Sequence, residues 1–154
     1  MNSNDEIESY FPGLRGKNWQ LTSHRNTQYN CIAWAACDST QWWWPGDPAD
    51  GYHWPAGIDR IETLEAFIAA YTLLGYETCA DLAPEVGFEK VAIFVDADGK
   101  PTHAARQLNG GRWTSKLGNL EDIEHDLQDV CGDLYGTVAR IMKRALPQPG
   151  PVAQ

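Results

Sequence analysis

The chain has 154 residues, a formal net charge of −9 and a hydrophobic fraction of 43%. This length and apolar content suit one globular domain with one core. An acidic surface repels phosphate backbones, so we expect no nucleic-acid partner. No apolar run approaches the roughly 18 to 20 residues that a membrane helix needs. Residues 1–10 also lack the basic and apolar regions of a secretion signal. We therefore expect no membrane association and a cytoplasmic location.

Composition divides the chain into three segments. Residues 1–17 predict a loosely ordered N-terminal arm, and residues 18–146 predict a single domain. The proline-rich residues 147–154 predict a disordered tail.

The cysteines favour free thiols over a metal site. They are Cys31, Cys37, Cys79 and Cys131, and no two form the Cys-x-x-Cys spacing that is typical of structural zinc sites. We expect no metal and no other cofactor.

Two helices are predicted in the first half of the chain. Asn30 is a good N-cap for a helix from about Cys31 to Asp38. Apolar residues repeat at helical spacing over residues 64–74, with Thr63 or Asp59 as cap and Gly75 as the terminating residue.

Strands dominate the second half. Residues 88–95, 101–108 and 112–117 predict a three-stranded antiparallel meander, with turns at 96–99 and 109–111. Asn119 then predicts a third helix over residues 120–130. Residues 134–144 are compatible with a helix or a strand, and of the two we favour the strand.

Cys31 and His103 are the candidate catalytic pair. At the first position of a helix, the partial positive charge of the helix end favours thiolate over thiol. A histidine is the usual base for a cysteine nucleophile, and His103 lies near the start of the middle strand of the meander.

Further residues are candidates for supporting roles. A turn at Gly110 brings His103 opposite about residues 116–119, so Asn119, Ser115 or Gln107 could orient the ring, and the residues leave that choice open. The backbone N–H of Cys31, with the side-chain amide of Gln28 or Asn30, could stabilise an oxyanion.

Seven tryptophans are a further unusual feature. Residues 42–45 and 52–55 place several of them around a short loop. Aromatic residues at this density either cover a core or line a cleft. Trp43, Trp54 and Trp113 are the candidate substrate-binding residues.

Five short motifs follow one another in a recognisable order: Tyr29–Cys31, Thr102–Ala105, Trp113–Gly118, Ile123–His125 and Tyr135–Gly136. Over about residues 28–144 the chain resembles a group of bacterial papain-like domains that are related to the NlpC/P60 and CHAP amidases. The resemblance implies an α+β papain-like fold with N-terminal helices packed on an antiparallel sheet. It also implies a Cys31–His103 hydrolase core, with Ser115, Lys116 and His125 as supporting residues.

Three functions are compatible with these features. The first is a cysteine hydrolase of amide bonds (a peptidase, amidase or deamidase) that acts on a peptide or protein. The second is a catalytically inactive papain-like binding or immunity module that uses the tryptophan-rich loop. The third is a transglutaminase-like acyltransferase.

Overall fold

The computed structural model describes residues 2–146, in which three α-helices accompany one open, seven-stranded antiparallel sheet. The helices are α1 (Ser3–Tyr10), α2 (Cys31–Ala35) and α3 (Leu64–Thr72). The strands are β1 (Gln20–Leu21), β2 (Glu77–Cys79), β3 (Phe88–Val95), β4 (Pro101–Gln107), β5 (Trp113–Lys116), β6 (Asp122–His125) and β7 (Thr137–Ala145). Their order in the sheet is β1-β6-β5-β4-β3-β7-β2. The expected α+β class is confirmed, and the predicted tail lies outside the described residues. No helix in this described part is both long and apolar enough to cross a bilayer.

The local signals for α3 and for the meander are confirmed. Thr63 caps α3 by accepting a hydrogen bond from the backbone N–H of Ala66 at 3.2 Å. Beyond the helix, Gly75 takes the left-handed conformation, with φ of 96°. Strands β3, β4 and β5 are neighbours in the sheet, and β7 occupies most of the segment that favoured a strand.

Strand alternation gives the sheet two buried faces. Ile93 and Ala104 point towards α2 and α3, and we call this side the helix face. Phe94 and Ala105 point to the other side, towards residues 3–14, and we call it the arm face. These two faces determine which side chains can meet at the candidate site.

The N-terminal segment differs from the expected loose arm. Asn2 caps α1, and a short 3₁₀ helix follows at Pro12–Leu14. Ile7, Phe11 and Leu14 are all buried against the arm face. Their spacing of four and then three residues matches one side of a helix, so the sequence carried the signal for this packing.

The predicted third helix is wrong. Residues 122–125 form β6 instead, and a 3₁₀ helix follows at Leu127–Val130. Ile123 pairs with Ser115 and Glu124 with Thr114 on the neighbouring strand β5. Strand β5 thus supplies backbone hydrogen-bond partners, which would stay unused if residues 122–125 formed a short helix. This pairing outweighs the capping preference of Asn119.

Candidate active site

Cys31 is the first residue of α2, and Asn30 caps that helix as predicted. The Asn30 Oδ1 atom accepts hydrogen bonds from the backbone N–H groups of Ala33 at 3.1 Å and Trp43 at 3.0 Å. Its Nδ2 donates to the Trp43 carbonyl at 2.7 Å. Both ends of the amide are therefore engaged, and the cap also ties the tryptophan-rich loop to the start of α2.

The helix itself is shorter than expected. It ends at Ala35, and Cys37 has a φ of 65°, in the left-handed region that residues other than glycine rarely adopt. A five-residue helix carries a small dipole, so the helix end contributes less to the thiol than the sequence predicts.

A cleft of about 330 Å³ has Cys31 in its wall. It is neutral and largely aromatic, and it is lined by Asn30, Cys31, Trp42, Trp44, Tyr52, Thr102, Gly118 and Tyr135. The Trp42 and Tyr52 rings stack with their centroids 6.1 Å apart. A neutral aromatic wall of this kind suits an apolar or aromatic group of a ligand.

The aromatic residues that line this cleft are not the ones chosen from the sequence. Trp43 and Trp54 are buried in the core on the helix face, and Trp113 is buried on the arm face. In extended chain, neighbouring side chains point to opposite sides, so Trp42 and Trp44 face the cleft while Trp43 faces the core. That alternation was readable in the sequence.

Burial dominates the electrostatics of the thiol. It raises the pKa of Cys31 to about 11, even though hydrogen bonding from the backbone N–H groups of Ala104, Ile32 and Cys31 lowers it. The positive charge of Lys116 also lowers it. In this conformation the thiol is protonated at neutral pH.

Lys116 is a buried ammonium next to the cleft. Its Nζ donates to the carbonyl oxygens of Gly118 at 2.5 Å and Asn26 at 2.6 Å, and lies 5.0 Å from the centre of the Tyr29 ring. Burial lowers the pKa of Lys116, while the negative charge of Asp122 raises it. The side chain is thus held in place as a fixed cation on the helix face.

His103 belongs to a buried chain of hydrogen bonds that crosses three strands. Its Nε2 lies 2.9 Å from Ser115 Oγ, which lies 2.7 Å from His125 Nε2. The Nδ1 of His125 lies 2.8 Å from the carbonyl oxygen of Asp126. Among the residues proposed to orient His103, Ser115 makes the contact.

The hydrogen-bond network determines which ring nitrogen of each histidine carries the hydrogen. Burial lowers the pKa of His125 to about 4 and that of His103 well below 6.5, so both rings are neutral at neutral pH. Because a carbonyl oxygen only accepts, His125 Nδ1 carries the hydrogen and its Nε2 accepts from the Ser115 hydroxyl. Ser115 in turn accepts from His103 Nε2, which leaves His103 Nδ1 without a hydrogen. This buried Nδ1 has no partner among the described residues.

The imidazole and the thiol lie on different faces of the sheet. His103 pairs with Phe94 and shares its arm face, whereas Cys31 packs on the helix face with Ala104. The His103 ring stacks on Tyr135 at 3.9 Å, and Tyr135 lines the Cys31 cleft. No hydrogen bond joins Cys31 and His103 within residues 2–146, so their catalytic pairing stays a prediction.

The other predicted site residues lie apart from this network. Asn119 and Gln28 are exposed, and neither lines the cleft. Gln107 donates to the carbonyl oxygen of Leu82 at 2.7 Å. Across the described part of the chain, no group of three His, Cys, Asp or Glu side chains is placed to hold a metal ion.

Comparison with known proteins gives a family and no activity. No curated protein and no solved structure matches the chain. The family model described as a domain of unknown function (DUF7689) matches residues 20–143, a span that includes Cys31, His103, Ser115 and His125. This match covers most of the chain, and the protein therefore belongs to the DUF7689 family.

Proposed function

We propose that the protein is a cysteine hydrolase of amide bonds with a papain-like arrangement, in which Cys31 is the nucleophile and His103 the general base. The observation that carries the proposal is that Nδ1 of His103 has no hydrogen and no hydrogen-bond partner among the described residues. A buried nitrogen that lacks both a hydrogen and a partner is costly, and catalytic sites are one place where that cost is tolerated. It lies on the ring that stacks against Tyr135 of the thiol's own cleft.

The reaction follows the usual two steps of thiol acyl transfer. His103 Nδ1 accepts the Cys31 proton, the sulfur attacks the substrate carbonyl, and the imidazolium returns the proton to the leaving amine. Water then loses a proton to Nδ1 and hydrolyses the thioester, which regenerates the thiol. The backbone N–H groups near the sulfur, those of Cys31 and Ile32, are the candidate oxyanion donors.

For proton transfer, the thiol on the helix face and the imidazole on the arm face need a path past β4. Without substrate, catalytic hydrogen bonds are often long or poorly aligned and tighten only in the complex, and a proton can also pass through one water. Tyr135 lines the cleft on one side and contacts His103 on the other, so a shift of its ring on substrate binding is the step that would open this path.

A binding module is the second candidate. Burial raises the pKa of the Cys31 thiol to about 11, and His103 lies on the opposite face of the sheet. A protein that only binds through the cleft needs neither a thiolate nor a base. In that case Trp42, Trp44 and Tyr52 form the contact surface, and the substrate is replaced by a ligand that is not transformed.

Alkylation by iodoacetamide separates the two candidates. Each cysteine is quantified by mass spectrometry across a pH series, and the exposed Cys37 serves as internal reference. The hydrolase predicts that Cys31 reacts with a pH midpoint below the roughly 8.5 of a free thiol. It also predicts that His103→Gln and Ser115→Ala raise that midpoint. A midpoint near 11 that neither variant moves would leave only the binding module.

A further inference from the structure

A second cleft is separate from the one at Cys31. It has a volume of about 650 Å³ and shares no lining residue with the Cys31 cleft. Its apolar wall includes Pro84, Val86, Phe88, Leu108 and Leu146. A cavity of this size is in the range of small-molecule sites, and Val86 in its wall is fully exposed.

The two acidic residues in this cleft are already neutralised. Glu85 pairs with Lys90 at 3.1 Å and with Lys143 at 3.0 Å. Glu89 pairs with Arg144. Neither carboxylate is therefore free to compensate a further cation in the cleft.

Arg106 also lines the cleft, and no carboxylate among the described residues forms an ion pair with it. Within residues 2–146 its guanidinium makes no ion pair and no side-chain hydrogen bond, and its buried Nε has no partner. Arginine stays charged at any physiological pH. A buried donor without an acceptor is costly, so the site is incomplete as it stands.

The guanidinium is held in a fixed orientation. Its central carbon lies 5.3 Å from the centre of the Trp34 ring, and the Trp34 Nε1 donates to Thr114 Oγ1 at 3.0 Å. An aromatic face that supports a guanidinium leaves the donors on the guanidinium edge available to a planar acceptor. A carboxylate matches that edge with two parallel hydrogen bonds.

We propose that this cleft binds a small monocarboxylate with an apolar body, with Arg106 as the carboxylate anchor. Among the lining residues that the structure describes, Arg106 is the one cation, and the edge of its guanidinium matches the two oxygens of one carboxylate. The apolar wall then covers the hydrocarbon part of the ligand.

Calorimetric titration of the full chain with octanoate tests the proposal. Methyl octanoate and octylamine have the same hydrocarbon body and lack the negative charge. Octanoate is expected to bind at least tenfold more tightly than either compound to the unmodified protein. This comparison needs no variant, so it does not depend on how a substitution folds.

Variants locate the contact. Arg106→Gln is expected to weaken octanoate binding at least tenfold, and Arg106→Lys should restore part of it because the charge remains while the planar edge is lost. The matched control is Arg15→Gln, which removes an exposed arginine elsewhere. Equal affinity for octanoate and its methyl ester, or no change in Arg106→Gln, would overturn the proposal. Labelling of Cys31 is unaffected by either result, because the two clefts are separate.

Discussion

The Ser115 hydroxyl lies 2.9 Å from Nε2 of His103 and determines which nitrogen of that ring carries the hydrogen. Ser115 can donate only one hydrogen, and His125 takes it. The same serine therefore holds the His103 ring by its Nε2 and leaves Nδ1 as an acceptor. A hydroxyl that links two imidazoles thus fixes the His103 ring.

Ser115→Ala tests this network. Without the hydroxyl, one donor on His103 and one acceptor on His125 are left buried and unpaired, which costs about 1–3 kcal/mol each. We expect the free energy of unfolding to fall by about 2–6 kcal/mol in urea titrations. Ser39→Ala, which changes an exposed serine, should leave it within about 0.5 kcal/mol of the unmodified protein. An equally stable Ser115→Ala protein would contradict the network.

Acid should destabilise the fold through the two buried histidines. Burial lowers the pKa of His125 to about 4 and that of His103 well below 6.5. The unfolded chain therefore binds protons that the folded chain does not. Stability is complete above about pH 6.5 and is lost as the pH falls towards 4, by up to about 1.4 kcal/mol per pH unit for each histidine.

Urea midpoints at pH 7 and pH 5 measure this loss. Replacement of one buried histidine by glutamine, His125→Gln, is expected to remove about half of the pH dependence, because glutamine does not titrate. His24→Gln, at an exposed position, should keep all of it. The pH window lies above the range in which most carboxylates titrate, so a flat stability profile between pH 7 and pH 5 would show that the histidines are not buried in neutral form.

Two residues of the tryptophan-rich loop should have different effects, with Trp43 acting on stability and Trp42 on access to the cleft. Trp43 is buried and its Nε1 donates to Asp38 Oδ2 at 2.8 Å, so Trp43→Ala is expected to cost about 3–5 kcal/mol in unfolding free energy. Trp42 is half-buried at the cleft, so Trp42→Ala should cost much less and speed the alkylation of Cys31 at a fixed pH. If Trp42→Ala lowered the unfolding free energy more than Trp43→Ala, Trp42 and not Trp43 would be the buried residue.

Local signals in the sequence were enough for the parts of the fold that local chemistry decides. Thr63 and Gly75 bracket α3, and Asn30 caps α2, because a cap depends only on residues within one turn. Strand β6 was missed because its neighbour β5, and not its own residues, decides its conformation. Asn119 is a suitable N-cap by local sequence, but pairing with β5 favours a strand over a helix in the folded chain.

The face of His103 follows from strand alternation, which the prediction of its pairing with Cys31 did not take into account. Ala104 is small, which lets α2 approach the sheet at that position, and alternation then turns His103 to the arm face. The order of the motifs indicates which residues are near one another along the chain. It does not indicate which side of a strand each side chain occupies, and the catalytic pairing depends on that side.

Lys116 should control the acidity of the Cys31 thiol. Its charge lowers the pKa of Cys31, against the larger effect of burial, so Lys116→Met is expected to raise the pH midpoint of iodoacetamide labelling. The substitution also removes the donor that the Gly118 and Asn26 carbonyls share, which should cost about 1–3 kcal/mol of unfolding free energy. Lys17→Met, at an exposed lysine, is the matched control and should change neither quantity. If Lys116→Met lowers stability but leaves the labelling midpoint of Cys31 where it was, the lysine only supports the loop carbonyls, and the thiol owes its reactivity to other groups.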